Sequence, residues 1–419
     1  MNINNKFVIV GGHELHGEAI IQASKNTVLP ILAGCVLCDD MITINNVPNI
    51  VDVSNMIKIL TDLGVKINSV DKNCYIDASN ITSVVLNQEL AKTLRSSIFL
   101  LGPLLARFKH ATISYPGGCD IGNRPIDLHL SGLEKLGVKI VKRHNLIDCD
   151  AKEMSSGLVQ LDFPSVGATE NLMMSAVFLK GTTRLINVAK EPEIVDLQNF
   201  LNSMGADISG AGTAEITING VDRLHGTQYT PIDDRIVAGT LMIATAIVGG
   251  KVVLKNTDFK NNQSLIAKLS SVGCQINIKN DIIDITSKGR LPSIALIDTQ
   301  VYPGFPTDMQ AQIMALQTVS DGVSVICENV FENRYKHVKE FVKMGANIIL
   351  RDRVAIIKGV EDLMGASVDA TDLRAGAGLV LAGLKAVGYT TINNIEHIDR
   401  GYENFEGILS GLGVDIKRI

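Results

Sequence analysis

Six times along the chain an apolar helical pattern closes on a glycine and then a short apolar stretch: ILTDLGVKI, LEKLGVKI, FLNSMGADI, LSSVGCQI, FVKMGANI and LSGLGVDI. The glycines, Gly64, Gly137, Gly205, Gly273, Gly345 and Gly413, lie 73, 68, 68, 72 and 68 residues apart. Glycine there suits the left-handed residue that ends a helix before a strand. A fixed period of this length means one supersecondary unit written six times. Some twenty residues before each glycine stands a β-rich stretch (MITINNV, ATISYP, TTRLINV, GKVVLKN, VSVICENV, TTINNI). Each is followed by a loop and then the glycine-ended helix.

Every unit also carries a second helical pattern, rich in small residues and apolar nearly all round. They read SKNTVLPILAG, LRSSIFLLGPLLAR, SVGATENLMMSAVFL, DDRIVAGTLMIATAIV, TDMQAQIMALQTV and TDLRAGAGLVLAGL. A helix without a polar face must be buried, so sheets are expected to enclose these six. The fold class is therefore α/β, built of repeated βα units with buried helices. Six units exceed a single core, which leads to two domains of three repeats with a crossover in YTPIDD, Tyr229 to Asp234. The division is 23–229 for the domain holding Cys119, and 1–22 plus 230–419 for the other. On the residues alone, the leading strand FVIVGG is compatible with either.

Composition narrows the partners. With 39 basic and 44 acidic residues the net charge is −5, which gives no global support to binding nucleic acid or an acidic membrane surface. MNINNKFVIVGG has no cationic region ahead of a long apolar one, so no secretory signal is expected. The longest uncharged apolar stretch, Ile236 to Gly250, is too short and too interrupted to span a bilayer and is expected as a core helix. Seven cysteines, an odd number, point to reduced thiols and a cytoplasmic setting. Cys35 and Cys38 form a C-x-x-C in an apolar run with no second pair, which reads as packing rather than zinc. A Walker loop, a complete dinucleotide fingerprint, H-E-x-x-H and G-x-S-x-G are all missing from the sequence; no metal or cofactor is called for.

Polar groups cluster where the buried helices begin: Lys25 and Asn26, Arg95, Ser165-Val166-Gly167, Asp308 after PGFP, and Asp372 with Arg374. Helix starts offer free N–H groups and a positive dipole end to anions, and an arginine fork binds phosphate or carboxylate bidentately. Each also has an ordinary reading. Ser165 and Asp308 can be helix caps, Lys25 a solvated lysine, Asp372 no more than the partner of Arg374, and Arg400 in HIDRGYENF a plain loop residue. In YPGGCDIGNRPID, Cys119 sits between a glycine pair and Arg124, a setting for a reactive thiol on a swinging loop rather than for a packed one.

The motifs SKNTVLPIL, LRSSIFLLGPLLAR, PGGCDIGNRPIDLH, SVGATE, EPEIVD, PGFPTDMQAQ, FENRY, ATDLRAG and HIDRGYE, in order from residue 24 to 403, resemble those of the UDP-N-acetylglucosamine enolpyruvyl transferases. The resemblance implies two inside-out α/β domains, each of three repeats, with the active site between them. It also implies transfer of the enolpyruvyl group of phosphoenolpyruvate to the 3-hydroxyl of UDP-N-acetylglucosamine, with release of phosphate, through a tetrahedral intermediate in peptidoglycan synthesis. On the same ground Lys25, Arg124 and Arg400 match the residues that bind phosphoenolpyruvate, with Arg95 close by. Asp308 matches the base at the sugar hydroxyl. Cys119 matches a loop cysteine that donates a proton, bonds covalently or aids product release, and that fosfomycin alkylates. Asp372 and Arg374 match a supporting pair, and Asn26 a residue near the sugar. Arg124, Pro125, Ile126, Asp127, His129, Ser165, Val166, Gly167 and Val330 match the nucleotide-sugar site. Phe163 departs from the pattern, standing where some relatives carry a lysine that reaches the nucleotide. The competing readings are the shikimate-pathway enolpyruvyl transferase, which lacks the cysteine loop, and a non-catalytic nucleotide-sugar sensor, which has no need of an acid and a base.

Overall fold

The structure, a computed structural model, describes residues 5–115 and 126–419. The loop carrying Cys119, Arg124 and Pro125 lies outside the described residues. The chain forms two compact units, residues 23–232 and residues 5–22 with 233–419, each around its own hydrophobic core.

One topology recurs, as the repeat demands. In its plainest copy, Leu296–Asp298 runs parallel to Val323–Cys327, which pairs antiparallel with Val354–Lys358, which pairs antiparallel with Asn347–Arg351. The buried helix Gln310–Val319 connects the two parallel strands. The glycine-ended helix leads into the hairpin that completes the sheet. Side chains on the strands alternate between core and solvent, as in the burial of Val323–Cys327, because the strand period is two. The same order holds in Leu158–Gln160, Thr182–Ile186, Glu215–Asn219 and Asp207–Ser209.

Three sheets are completed by distant chain. Leu15–Ile20 lies parallel to Gly250–Lys255. Lys6–Val10 pairs with both Tyr389–Asn393 and Asp415–Arg418, so the leading strand belongs with residues 233–419. Gln228–Tyr229 lies parallel to Ile42–Ile44. The sheet His110–Ser114, Leu146–Asp150, Lys139–Arg143 has three strands, and a lone bridge from Val85 to Thr112 stands in the fourth place. The second hairpin strand alternates core and outward-facing residues, as in Glu215–Asn219 and Val354–Lys358. It forms because the glycine turns the chain and the edge left behind must be paired.

All six repeat glycines are left-handed, φ between +89° and +108°. The residue after each donates its N–H back to the carbonyl five positions earlier in the chain: Val65 to Leu60, Val138 to Leu133, Ala206 to Leu201, Cys274 to Leu269, Ala346 to Phe341 and Val414 to Leu409, at 3.0–3.1 Å. This closes the helix ends. The small-residue helices are buried: Arg235–Val248 from Arg235 to Ile247, Gln310–Val319 throughout, and Leu373–Lys385 to Leu384. Among the described residues no helix is long and apolar enough to cross a membrane. Cys35 and Cys38 are buried as packing predicts, and burial raises both thiols, which disfavours the thiolate a metal needs.

Candidate active site

In the unit of residues 233–419, the PGFP turn delivers the chain into a short 3₁₀ turn, Thr307–Met309, at the head of Gln310–Val319. Asp308 caps neither element: the capping positions are Pro306 for the turn and Met309 for the helix, and neither makes a side-chain cap. Its carboxylate is instead held between two guanidinium groups. Arg334 Nη2 donates to one oxygen at 2.8 Å and Arg374 Nη2 to the other at 2.9 Å. Both arginine side chains are 5% exposed, whereas Asp308 is 27% exposed and open to a reactant. Such charge-assisted bonds are about twice as strong as neutral ones.

The clamp has a supporting layer. Arg334 Nη1 donates to Thr307 Oγ1 at 2.8 Å. Thr307 in turn donates to the buried Glu328 at 2.9 Å. Glu328 also accepts the backbone N–H groups of Val330 and Phe331 at 3.0 Å. Gln312 Nε2 donates to the Asp308 carbonyl at 3.0 Å and to the hydroxyl of Tyr402 at 3.3 Å. Arg374 lies over the Tyr402 ring, 5.9 Å from its centroid. Burial works against the charge on Arg374, but Asp308, Tyr402 and Asp234 outweigh it and keep the guanidinium firmly protonated. Its Nη1 is buried and makes no hydrogen bond among the described residues. A buried donor left open costs free energy unless something arrives to accept from it.

Asp372 is a capping residue. Its carboxylate accepts the N–H groups of Arg374 and Ala375 at 2.9 and 3.0 Å, so the reading of Asp372 as no more than the partner of Arg374 is set aside: the arginine turns to Asp308 while Asp372 secures the helix that carries it. Arg400, half-buried, sits in a loop pinned on both sides. Asp399 is held by Arg418 at 2.7 Å, and Gln22 grips the Gly401 carbonyl at 3.1 Å and the Glu403 N–H at 2.8 Å.

In the unit of residues 23–232, Lys25 opens the helix Lys25–Gly34. It pairs with the buried Asp52 at 3.0 Å and is only 13% exposed, so the solvated-lysine reading is set aside. Asn26, next to it, is half-buried. Ser165 caps Val166–Ala176, accepting from the Ala168 N–H at 3.4 Å. His129, buried on the helix Asp127–Lys135, has its Nδ1 3.0 Å from Asn171 Nδ2. A Cβ on Gly167 would stand 3.1 Å from His129 Cε1 and 3.2 Å from Nε2, so glycine lets the imidazole edge reach the start of that helix. Burial, assisted by Arg95, lowers the His129 pKa to about 3. Burial also lowers the Arg95 pKa to about 10, which leaves the guanidinium charged. Ile126 is buried, Asp127 is exposed beside Lys142 at 3.9 Å, and Phe163 presents a ring 47% exposed.

The motif FENRY by itself gives Arg334 no role, and Glu328, Asp52 and Asn171 do not stand out in the sequence. Arg334 had a visible signal, a lone arginine within a polar motif. The other three are buried acids or amides whose meaning lies wholly in what they face.

The EPSP synthase (3-phosphoshikimate 1-carboxyvinyltransferase) family matches residues 9–409. UDP-N-acetylglucosamine 1-carboxyvinyltransferase 2 of Carboxydothermus hydrogenoformans is 49% identical over 99% of each chain. The protein of that name from Caldanaerobacter subterraneus subsp. tengcongensis is 48% identical over 99% of each. Among solved structures, the enolpyruvyl transferase NikO from Streptomyces tendae superposes with a TM-score of 0.89 over 99% of each chain at 24% identity, a likeness of fold. The chain belongs to the EPSP synthase family and, within it, groups with the UDP-N-acetylglucosamine 1-carboxyvinyltransferases.

Proposed function

We propose that this enzyme transfers the enolpyruvyl group of phosphoenolpyruvate to the 3-hydroxyl of UDP-N-acetylglucosamine, with release of phosphate. The observation that carries the reading is the Asp308 clamp, a partly exposed carboxylate fixed by two buried guanidinium groups, in a chain nearly half identical, end to end, to proteins named for this reaction.

The chemistry assigns a task to each group. Asp308 accepts the proton of the sugar 3-hydroxyl as its oxygen bonds to C2 of phosphoenolpyruvate. C3 takes a proton, for which Cys119 is the donor in this reading. The product is a tetrahedral intermediate still bearing phosphate. Loss of a C3 proton and departure of phosphate re-form the double bond. Lys25, Arg124 and Arg400, with Arg95 near, hold the anionic oxygens. The open Nη1 of Arg374 adds a donor for the carboxylate. The clamp also times the base. With both guanidinium groups turned to Asp308, the carboxylate is well stabilised and a weak base. An anionic substrate sharing Arg334 and Arg374 draws charge away and leaves Asp308 more willing to take a proton.

Fosfomycin, in this reading, alkylates Cys119, and the enzyme works in the cytoplasm without a metal or cofactor. The test is phosphate release from purified protein given both substrates, against omission of either, with and without fosfomycin. Release that needs both and is blocked by the drug is expected. Binding of the sugar nucleotide without any release would favour the sensor reading instead.

A further inference from the structure

We infer that Asn171 is a positioning residue that fixes His129 as a neutral imidazole with its proton on Nε2, so that it serves as an uncharged donor to the anionic part of the nucleotide sugar. What Nε2 faces rests on the proposed function; the tautomer does not.

Two backbone groups that cannot rotate fix the amide of Asn171. Asn171 Oδ1 accepts the Gly102 N–H, and Asn171 Nδ2 donates to the Ile98 carbonyl at 2.9 Å. Exchanging the amide's oxygen and nitrogen would set NH₂ against N–H and oxygen against oxygen, so the orientation is decided. Asn171 Nδ2, with one hydrogen left to donate, is 3.0 Å from His129 Nδ1. Nδ1 must therefore offer its lone pair, and the ring proton of the neutral imidazole is on Nε2. Nε2 is the edge at Gly167, in the first turn of Val166–Ala176, where leading N–H groups have no partner within the helix. The amide is fully buried and all three of its bonds are used. Gly102 is part of the device: a Cβ there would lie 2.3 Å from the Asn171 carbonyl oxygen.

Protonation of His129 would turn Nδ1–H against the amide donors. The groups around it do not favour protonation either. Its own helix carries Asp127, Glu134 and Lys135, the Val166 helix carries Glu170, and the turn at residue 95 carries Arg95. Of these, Arg95 is the one with a resolved effect on His129, and it opposes a second positive charge. A site built this way grips an anion equally well across the physiological pH range, where a free imidazole would switch.

The test is the nitrogen spectrum of the full chain labelled at histidine, without substrate, with the His129 signal identified by its loss in His129→Gln. The wild type is expected in the Nε2–H form, with no titration between about pH 5 and 8. Asn171→Asp replaces the donor with an acceptor for Nδ1–H. It is expected to invert the tautomer and bring the titration into that range. In the same variant KM for UDP-N-acetylglucosamine should change by about tenfold between pH 5.5 and 8, with the effect on KM rather than kcat. An Nδ1–H signal in the wild type, wild-type titration within the range, or an unmoved titration in Asn171→Asp would each overturn the inference. The wild-type spectrum decides even if the variant fails to fold. A protein that gives the expected spectrum but releases no phosphate with both substrates would refute the proposed function and leave the tautomer standing.

Discussion

In the proposed reading, the same repeat carries two anion-handling corners built on opposite principles. Around Asp308, charge is answered by charge: one carboxylate, two buried guanidinium groups, and Thr307 and Glu328 behind them. Around His129, charge is avoided: a neutral imidazole, a saturated amide and the start of a helix. Both stand at the head of a buried helix, so the fold supplies the location and the side chains supply the policy. A reacting carboxylate must gain and lose a proton, which requires neighbours whose pull changes when substrate arrives. A binding corner gains by staying indifferent to protons. The helix start suits both, because its backbone N–H groups attract anions without titrating.

The contrast is tested hardest at Asp308. Asp308→Asn keeps the shape and removes the base. Phosphate release should fall about a thousandfold, within the range for loss of general acid–base catalysis, while calorimetric affinity for the sugar nucleotide changes little. Near-normal turnover would remove Asp308 from the mechanism. Arg374→Met comes next. It leaves Arg334 on the carboxylate and removes the open donor, so kcat/KM for phosphoenolpyruvate should drop about a hundredfold, roughly two lost charge-assisted bonds. Sugar-nucleotide affinity should hold; an equal loss for both ligands would mean the clamp is structural. On the neutral side, Gly102→Ala drives a methyl into the Asn171 backbone and should cost about 1–3 kcal/mol in urea unfolding. A neutral outcome there would mean the two helices separate easily and the amide is less fixed than its bonds suggest.

Much of this was legible in the sequence, and the limit has a physical form. The six glycines announce helix ends, because only that residue takes positive φ at no cost, and the repeat follows from them. Asp308, Arg374, His129 and Gly167 stand out by residue type near helix starts. Partnerships do not. Asp372 and Arg374, two residues apart, look like a pair, yet the capping geometry turns one to the backbone and sends the other to Asp308. Asn171 follows Glu170 in a run of small and apolar residues and reads as neutral filler. Only the close approach of Gly102 and His129, 69 and 42 residues away, gives its amide a purpose.

The smallest expected effect separates buried groups by sign within one unit. His129, lowered to about 3 by burial, stays neutral in the fold at pH values where an unfolded histidine is protonated. Between about pH 3 and 6.5 the unfolded chain binds more protons at this residue, and stability rises with pH by up to about 1.4 kcal/mol per unit. Asp196 does the reverse. Burial raises it to about 6, although Tyr229 and the Ile232 N–H donate to its carboxylate. From pH 3.8 to about 6 the folded chain holds the extra proton, and stability from this group falls as pH rises. Urea unfolding at pH 4.5, 5.5 and 6.5 on wild type, His129→Gln and Asp196→Asn therefore has a signed prediction. The stability gap between wild type and His129→Gln should widen in favour of the wild type as pH rises. The corresponding gap for Asp196→Asn should move the other way up to about pH 6. Matching slopes in the two variants would mean that His129 is not held neutral, and the contrast between the two corners would lose its neutral half.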